Sequence, residues 1–194
     1  MRNLNTLDAG FQQNGVLITS IDMTVLQVPE NENQRQMAKK QILDRLRTIP
    51  GVQEAAETVM VPISGNSWNE FVLIDQELKA LSNFNAVSDN YFKTLEIPII
   101  MGRDFDNHDN LSSPRVAIIN ESFKRKLLHD KNPIGKTFRL QVGHEDKDHI
   151  YEIVGLVKDT KYLELKEDFR PIVYLPQYQN DKSDMSPTFI LRSN

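Results

Sequence analysis

The fold is decided by residues 16–61, VLITSIDMTVLQVPENENQRQMAKKQILDRLRTIPGVQEAAETVMV. Residues 16–25 alternate in part between apolar and polar side chains and are rich in β-branched residues, which predicts a strand. Residues 32–49 place apolar side chains three or four positions apart, which predicts an amphipathic helix, with Lys39 and Arg47 on its polar face. Pro50-Gly51 ends that helix, and residues 52–61 form a second predicted strand. The stretch therefore predicts a β-α-β unit.

The rest of the chain predicts short strands interrupted by two short helices. The strand candidates are residues 71–74, 83–87, 97–101, 116–119, 137–142, 151–157, 172–175 and 188–191. The helices cover residues 90–95, capped by Ser88 or Asp89, and residues 121–128, capped by Asn120. His144 to His149 reads as a hairpin tip, and residues 177–187 as a polar, mobile connection. The predicted fold class is α+β.

Composition limits the function. The chain has 194 residues, of which 39% are hydrophobic and 26% charged, so it can bury the core of one domain or of two small lobes. The net charge of −4 argues against a general nucleic-acid binder. The absence of cysteine excludes disulfides, thiolate metal sites and cysteine nucleophiles.

A membrane-spanning helix needs roughly 18 to 20 consecutive apolar residues, and no apolar run in this sequence is that long. Residues 2–8 lack the apolar core of a secretory signal and have little periodicity. The sequence therefore predicts a segment of a longer parent protein.

Two patterns resemble ligand sites and fail in detail. Gly135-Lys136-Thr137 matches the end of a phosphate-binding loop, but Asp130 stands where that loop needs glycine, and a strand follows instead of a helix. Asp104, Asp106, His108 and Asp109 could bind a hard cation, but an EF-hand would need glycine where Asp109 stands and glutamate eleven residues after Asp104. A strand turn and a solvated loop are the favoured interpretations.

Other chemistry is not apparent. The four histidines fit no common zinc spacing, no serine lies in a nucleophile elbow, and residues 124–126 (Lys-Arg-Lys) are expected to form a solubilising helix face. We therefore predict no catalytic, cofactor-binding or metal-binding residue.

Nine motifs follow one another along the chain. They are residues 4–11 (LNTLDAGF), 49–52 (IPGV), 61–65 (VPISG), 87–98 (VSDNYFKTLEIP), 102–105 (GRDF), 116–121 (VAIINE), 132–136 (NPIGK), 153–159 (IVGLVKD) and 171–176 (PIVYLP). In this order, and over nearly the whole chain, they resemble the MacB-like periplasmic core domain of FtsX-family ABC transporter permeases.

The resemblance implies two lobes. A porter-like β-α-β lobe would combine both chain ends, residues 1–70 and 149–194, and a sabre-like mixed α/β lobe, residues 71–148, would be inserted between them. Within the motifs, Gly102 and Gly135 are expected to permit turns, Asp104 to cap its own turn, and the aromatic helix that begins at Tyr91 to seat on the inserted lobe.

The resemblance also implies a cellular location and a set of partners. The parent would be a permease embedded in the cell inner membrane, with this domain in the periplasm between the first and second transmembrane helices. ATP would be hydrolysed by a separate ABC ATPase subunit or domain in the cytoplasm. The permease would form a homodimer, with a periplasmic adaptor protein as a further possible partner.

Three functions compete. The first is a non-catalytic domain that couples ATP-driven motion to export, such as efflux, or to mechanical work, which is mechanotransmission. The second is a module of the same complex that senses a periplasmic ligand or partner. The third is a soluble hydrolase, supported only by the cluster of Asp104, Asp106 and Asp109.

Overall fold

The computed structural model describes residues 8–26, 31–75, 78–141, 148–179 and 186–193. Its elements are β1 (Val16–Ser20), α1 (Glu32–Arg47), β2 (Val52–Thr58), β3 (Asn69–Ile74), β4 (Leu78–Val87), α2 (Tyr91–Thr94), β5 (Ile99–Gly102), β6 (Val116–Asn120), α3 (Glu121–Leu127), β7 (Thr137–Gln141), β8 (Asp148–Val157), β9 (Ile172–Pro176), a 3-10 helix (Gln177–Gln179) and β10 (Thr188–Ser193). The predicted α+β class is confirmed. In the described part of the chain, no helix has the length and apolarity needed to cross a membrane.

The β-α-β unit is present, but its two strands are not neighbours. β10 lies between β1 and β2 and is antiparallel to both, so β1 and β2 are parallel to each other. We call these three strands the end sheet. α1 covers one face of it, where Leu43 packs against Phe189 and Leu191. β1 ends at Ser20 rather than at residue 25, because the Asp22 carboxylate accepts the Thr24 N–H and turns the chain.

Six of the other strands close into a ring, and β5 pairs with one of them, β8, outside it. β4, β3, β7, β8, β6 and β9 pair in that order, and β9 pairs back to β4. We call this six-stranded ring the barrel. Its interior holds one apolar cluster to which every strand contributes, and α3 adds Phe123 and Leu127. Closure leaves these strands without the open edges of a flat sheet.

The barrel draws on more of the chain than the inserted segment predicted from the sequence. β9 and all of β8 but its first residue lie within residues 149–194, which were assigned to the porter-like lobe, yet they pair with barrel strands. Only β10 from that range pairs with β1 and β2. The exact division of the chain at residues 70 and 148 stays a prediction.

The end sheet and the barrel meet at what we call the junction. Their strands share one bridge, between Thr58 of β2 and Val87 of β4. A second apolar cluster fills the space around it and includes Ala56 and Ile190 of the end sheet together with Tyr174 of the barrel. The two units therefore share a continuous core.

α2 is part of that shared core. Tyr91 and Phe92 are each 1% exposed, and the Phe92 ring meets the Tyr174 ring edge to face, with the centroids 4.9 Å apart. The predicted cap is wrong: Asn90, with φ of 63°, occupies the N-cap position without a capping bond, and the Ser88 hydroxyl accepts the Glu57 N–H instead.

Asn120, Gly102 and the β7–β8 pair are the other local features that the sequence predicted. Asn120 caps α3 as expected, since its side chain accepts the Phe123 N–H. Gly102 has φ of 75°, and a Cβ there would lie 2.0 Å from the Val154 carbonyl oxygen, so only glycine fits. β7 and β8 form an antiparallel pair, but residues 144–147 of the predicted hairpin tip lie outside the described residues.

Candidate functional site: the junction

The acidic loop that follows β5 is organised around an arginine. The Arg103 guanidinium binds both carboxylate oxygens of Asp109, at 2.7 and 2.8 Å. The Asp106 carboxylate contacts the His108 ring at 2.9 Å, and Asp104 accepts the N–H of Phe105, as expected for a capped turn. No group of three metal-binding side chains is found among the described residues. These contacts hold Asp104, Asp106 and Asp109 within the loop.

The other two patterns also have structural roles. Gly135, with φ of 80°, forms a turn before β7, and the Lys136 carbonyl accepts the Ile153 N–H. This segment is therefore the strand turn that was predicted. On α3, Lys126 donates to the Phe169 carbonyl and Arg125 pairs with Asp159, so this basic face partly serves internal contacts.

A buried ion pair lies at the junction. The Lys39 ammonium donates to the Glu57 carboxylate at 2.8 Å, and both side chains are at least 96% buried. Gln177 of the 3-10 helix donates to the same carboxylate oxygen at 3.0 Å. Lys39 and Glu57 belong to α1 and β2, and Gln177 follows barrel strand β9. The Gln177–Glu57 hydrogen bond therefore joins the two units, and it lies where water cannot replace a lost partner.

A second polar contact lies beside it. Arg47 of α1 pairs with Asp89 at 3.1 Å and also donates to the Asp89 and Ala55 carbonyl oxygens. The Tyr178 hydroxyl donates to the other carboxylate oxygen of Asp89, at 3.2 Å. Burial, reinforced by the charge of Asp89, raises the pKa of Tyr178 above its ordinary value. Tyr178 therefore stays a neutral donor at physiological pH.

The Asn85 side chain extends the short β2–β4 pairing. Its amide oxygen accepts the Met60 N–H at 2.8 Å, and its amide nitrogen donates to the Met60 carbonyl at 2.9 Å. The Thr58 hydroxyl contacts the same amide. A side-chain amide thus takes the place of a backbone partner, and the buried backbone of residue 60 stays satisfied.

Arg192 of β10 holds the two ends of the described chain together. Its guanidinium donates to the carbonyl oxygens of Gln12, Asn14 and Thr94, and it pairs with Glu96 at 3.2 Å. The residue is only 7% exposed. One side chain therefore ties the segment before β1, the strand β10 and the end of α2 to one another.

We expect Arg192→Lys to lower the free energy of unfolding by about 2 kcal/mol, because one ammonium cannot reach three divergent carbonyls and buried acceptors are left without donors. Urea denaturation of the two proteins measures the difference. Arg45→Lys is the matched control, since Arg45 is exposed on α1 and a value close to that of the wild type is expected there. Equal losses in both variants would contradict the role of Arg192.

Asp104 has a raised carboxyl pKa. Burial raises its pKa to about 6, and the Asp89 and Asp109 carboxylates add to the shift, although the Phe105 N–H works against it. Between about pH 4 and pH 6 the folded protein keeps a proton that the unfolded chain has lost. The contribution of Asp104 to stability therefore falls as the pH rises through this window.

Asp104→Asn is expected to raise the free energy of unfolding by about 1 kcal/mol at pH 7, a figure reduced for the partial exposure of the group. Asparagine keeps an oxygen for the Phe105 N–H and carries no charge. The difference should shrink to zero at about pH 4, which urea denaturation across the pH range measures. A pH-independent difference would contradict the assignment.

Sequence reasoning missed the junction. Lys39 and Arg47 were assigned to the polar face of α1, and residues 177–187 to a mobile connection. Instead Lys39 is 1% exposed, as is Gln177. A signal existed, since Lys39 precedes the buried Leu43 by one helical turn and so borders the apolar stripe. The Gln177–Glu57 contact could not be found that way, because the two residues lie 120 positions apart in the chain.

Solved structures share this fold. The periplasmic region of MacB from Actinobacillus actinomycetemcomitans matches with a TM-score of 0.60 and 16% identity, covering 100% of this chain and 79% of that one. The extracellular domain of the noncanonic ABC-type transporter YknZ from Gram-positive bacteria matches with a TM-score of 0.56 and 17% identity, covering 80% of this chain and 72% of that one. A permease domain from Porphyromonas gingivalis matches with a TM-score of 0.51 and 17% identity, covering 76% of this chain and 64% of that one. No curated protein matches the sequence significantly.

The family itself is identified by sequence. The family model described as the MacB-like periplasmic core domain matches residues 4–192, which is nearly the entire chain. The overall fold agrees with that of the MacB periplasmic region. The chain therefore belongs to the MacB-like periplasmic core domain family, and it is an extracytoplasmic domain of an ABC transporter permease-type protein.

Proposed function

We propose that the domain couples ATP-driven motion in the cytoplasm to export or mechanical work outside the membrane. Movement would enter through the end sheet, which carries both ends of the described chain, and reach the barrel through the junction. No catalytic, cofactor-binding or metal-binding residue is assigned to the domain. The ATPase would be a separate subunit or domain.

The observation that carries the proposal is the buried contact of Lys39, Glu57 and Gln177. A mechanical link must resist separation, and pulling the barrel away would break the hydrogen bond from Gln177 to the buried, ion-paired carboxylate of Glu57. Neither group could then regain a partner from water while it stays buried. The shared apolar cluster acts in the same direction, since pulling the units apart would expose it to water. The end sheet and the barrel are therefore expected to move as one body.

The setting of the domain is part of the proposal. The parent would lie in the inner membrane as a homodimer, with this domain in the periplasm, and would work with an ABC ATPase and a periplasmic adaptor. Residues 1–70 and 149–194 would form the porter-like lobe, with the sabre-like lobe, residues 71–148, between them. Membership of the family supports this setting.

Spin labels in the full-length parent test the proposal. This domain contains no cysteine, so Gln41→Cys on α1 and Glu152→Cys on β8 give a labelled pair at exposed positions across the junction. The distance between the labels is expected to be the same without nucleotide and with ATP and vanadate. The depth of each label relative to the membrane surface is expected to change.

Two results would contradict the proposal. A changed distance between the two labels would mean that the junction bends and does not transmit. A constant label depth in both nucleotide states would mean that no movement reaches the domain. The same labelled pair in the isolated domain gives the reference distance.

The sensing function is the second candidate. One observation favours it, an open cleft between α1 and the loop after β5.

A further inference from the structure

The cleft lies on the outer side of the junction. Its volume is about 340 Å³, which falls within the range of roughly 300–1,000 Å³ that small-molecule sites occupy. α1 contributes Gln36 and Lys40, one helical turn apart, and Tyr178 of the 3-10 helix lies at one side. The remaining wall is the loop after β5, through Asn107, Asn110, Leu111 and Ser112.

The loop wall is fixed although it has no regular secondary structure. The Asn110 side chain accepts the Ser112 N–H and contacts its hydroxyl, at 3.0 and 2.6 Å. The buried Gln179 side chain donates to the carbonyl oxygens of Asn110 and Pro114. The Arg103–Asp109 pair holds the start of the loop. The wall is therefore formed before any ligand arrives, which lowers the entropy cost of binding.

The side of the 3-10 helix is fixed as well. The Tyr178 hydroxyl is held by Asp89, and Asp89 is held by Arg47. The ring of Tyr178 therefore faces the cleft in a set position. Its neighbour Gln177 leaves one buried amide oxygen without a hydrogen bond among the described residues.

The lining has one charge and one exposed apolar side chain. Among the described residues of the lining, Lys40 alone is charged; it is exposed and makes no ion pair within the described ranges. None of these described lining residues is acidic. Leu111 is 49% exposed, although it is a large apolar side chain. A complementary ligand would carry an anionic group for Lys40 and an apolar group for Leu111 and the Tyr178 ring.

We propose that this cleft binds a carboxylate that stands beside an apolar side chain, as at the C-terminus of a peptide with an apolar last residue. Lys40 pairs with the carboxylate, Asn107 offers an exposed amide to the adjoining backbone, and the apolar side chain contacts Leu111 and the Tyr178 ring. Free N-acyl amino acids carry the same chemistry as a peptide end. The site gives the domain a binding role in addition to coupling, so it can fail without affecting the coupling proposal.

NMR titration of the ¹⁵N-labelled chain tests the site. The probes are a pentapeptide of four alanines followed by leucine, the same peptide with a C-terminal amide, and N-acetylleucine. The free-acid peptide is expected to shift the amide signals of residues 107–112 and of Lys40 in a saturable manner. The amidated peptide is expected to bind at least about ten-fold more weakly, because Lys40 loses a charged partner.

Two variants complete the test. Lys40→Gln is expected to weaken binding of the free-acid peptide about ten-fold. Lys131→Gln, which removes an exposed lysine elsewhere, is expected to leave that binding unchanged. Tighter binding of the pentapeptide than of N-acetylleucine would identify a peptide as the source of the carboxylate, and equal binding would identify a free N-acyl amino acid. The proposal would be overturned if neither the free-acid pentapeptide nor N-acetylleucine caused saturable shifts. It would also be overturned if the free-acid and amidated pentapeptides bound equally well.

Discussion

Replacing Asp159 by alanine is expected to lower the free energy of unfolding by about 3–5 kcal/mol, which is a large part of the stability of an ordinary domain. The Asp159 carboxylate is 6% exposed. It accepts hydrogen bonds from the Asn120 amide, the Ser122 N–H and hydroxyl, and the Arg125 guanidinium, at 2.7 to 3.1 Å. It thereby fastens the loop after β8 to the start of α3.

The loss is large because the donors of Asn120 and Ser122 remain buried after the carboxylate has gone. Asp159→Asn is expected to lose less, about 1–2 kcal/mol, since one oxygen remains for Asn120 and the Ser122 N–H. Urea denaturation measures all variants, and Asp168→Ala, at an exposed position nearby, is the control. A change below about 1 kcal/mol for Asp159→Ala would contradict this account.

Replacing Lys39 by methionine is expected to lower the free energy of unfolding by a similar amount, about 3–5 kcal/mol. Methionine fills the space of the lysine stem but leaves the Glu57 carboxylate buried without its cation. The Gln177 amide still donates to Glu57, but a neutral donor cannot balance a buried charge. The same denaturation series measures the effect, with Lys40→Met on the exposed side of α1 as the control.

The double variant Lys39→Met with Glu57→Leu separates the charge from the shape. Removal of both partners is expected to restore most of the lost stability, because an apolar pair of similar volume has no desolvation cost. If the double variant is as unstable as Lys39→Met alone, the ion pair is not the cause. In the full-length parent, the same double variant tests whether coupling requires the polar contact or only close packing at the junction.

Local patterns predicted the elements well. The apolar spacing of α1, the stop at Pro50-Gly51 and the Asn120 cap of α3 are all observed. Each depends on neighbours within a few residues, and such preferences are encoded locally. The predicted cap of α2 failed because Ser88 and Asp89 make distant contacts, with Glu57 and Arg47, which compete with local capping.

The sequence by itself determined the class of the fold, the order of its elements and, through the order of nine motifs, the family. Only the tertiary structure decided that β10 separates β1 from β2, that six strands close into a barrel, and that Lys39, Glu57 and Gln177 meet at the junction. The physical reason is distance along the chain. Periodicity and capping report which side of an element is apolar, whereas strand pairing and buried polar contacts depend on which surfaces meet after the chain has collapsed.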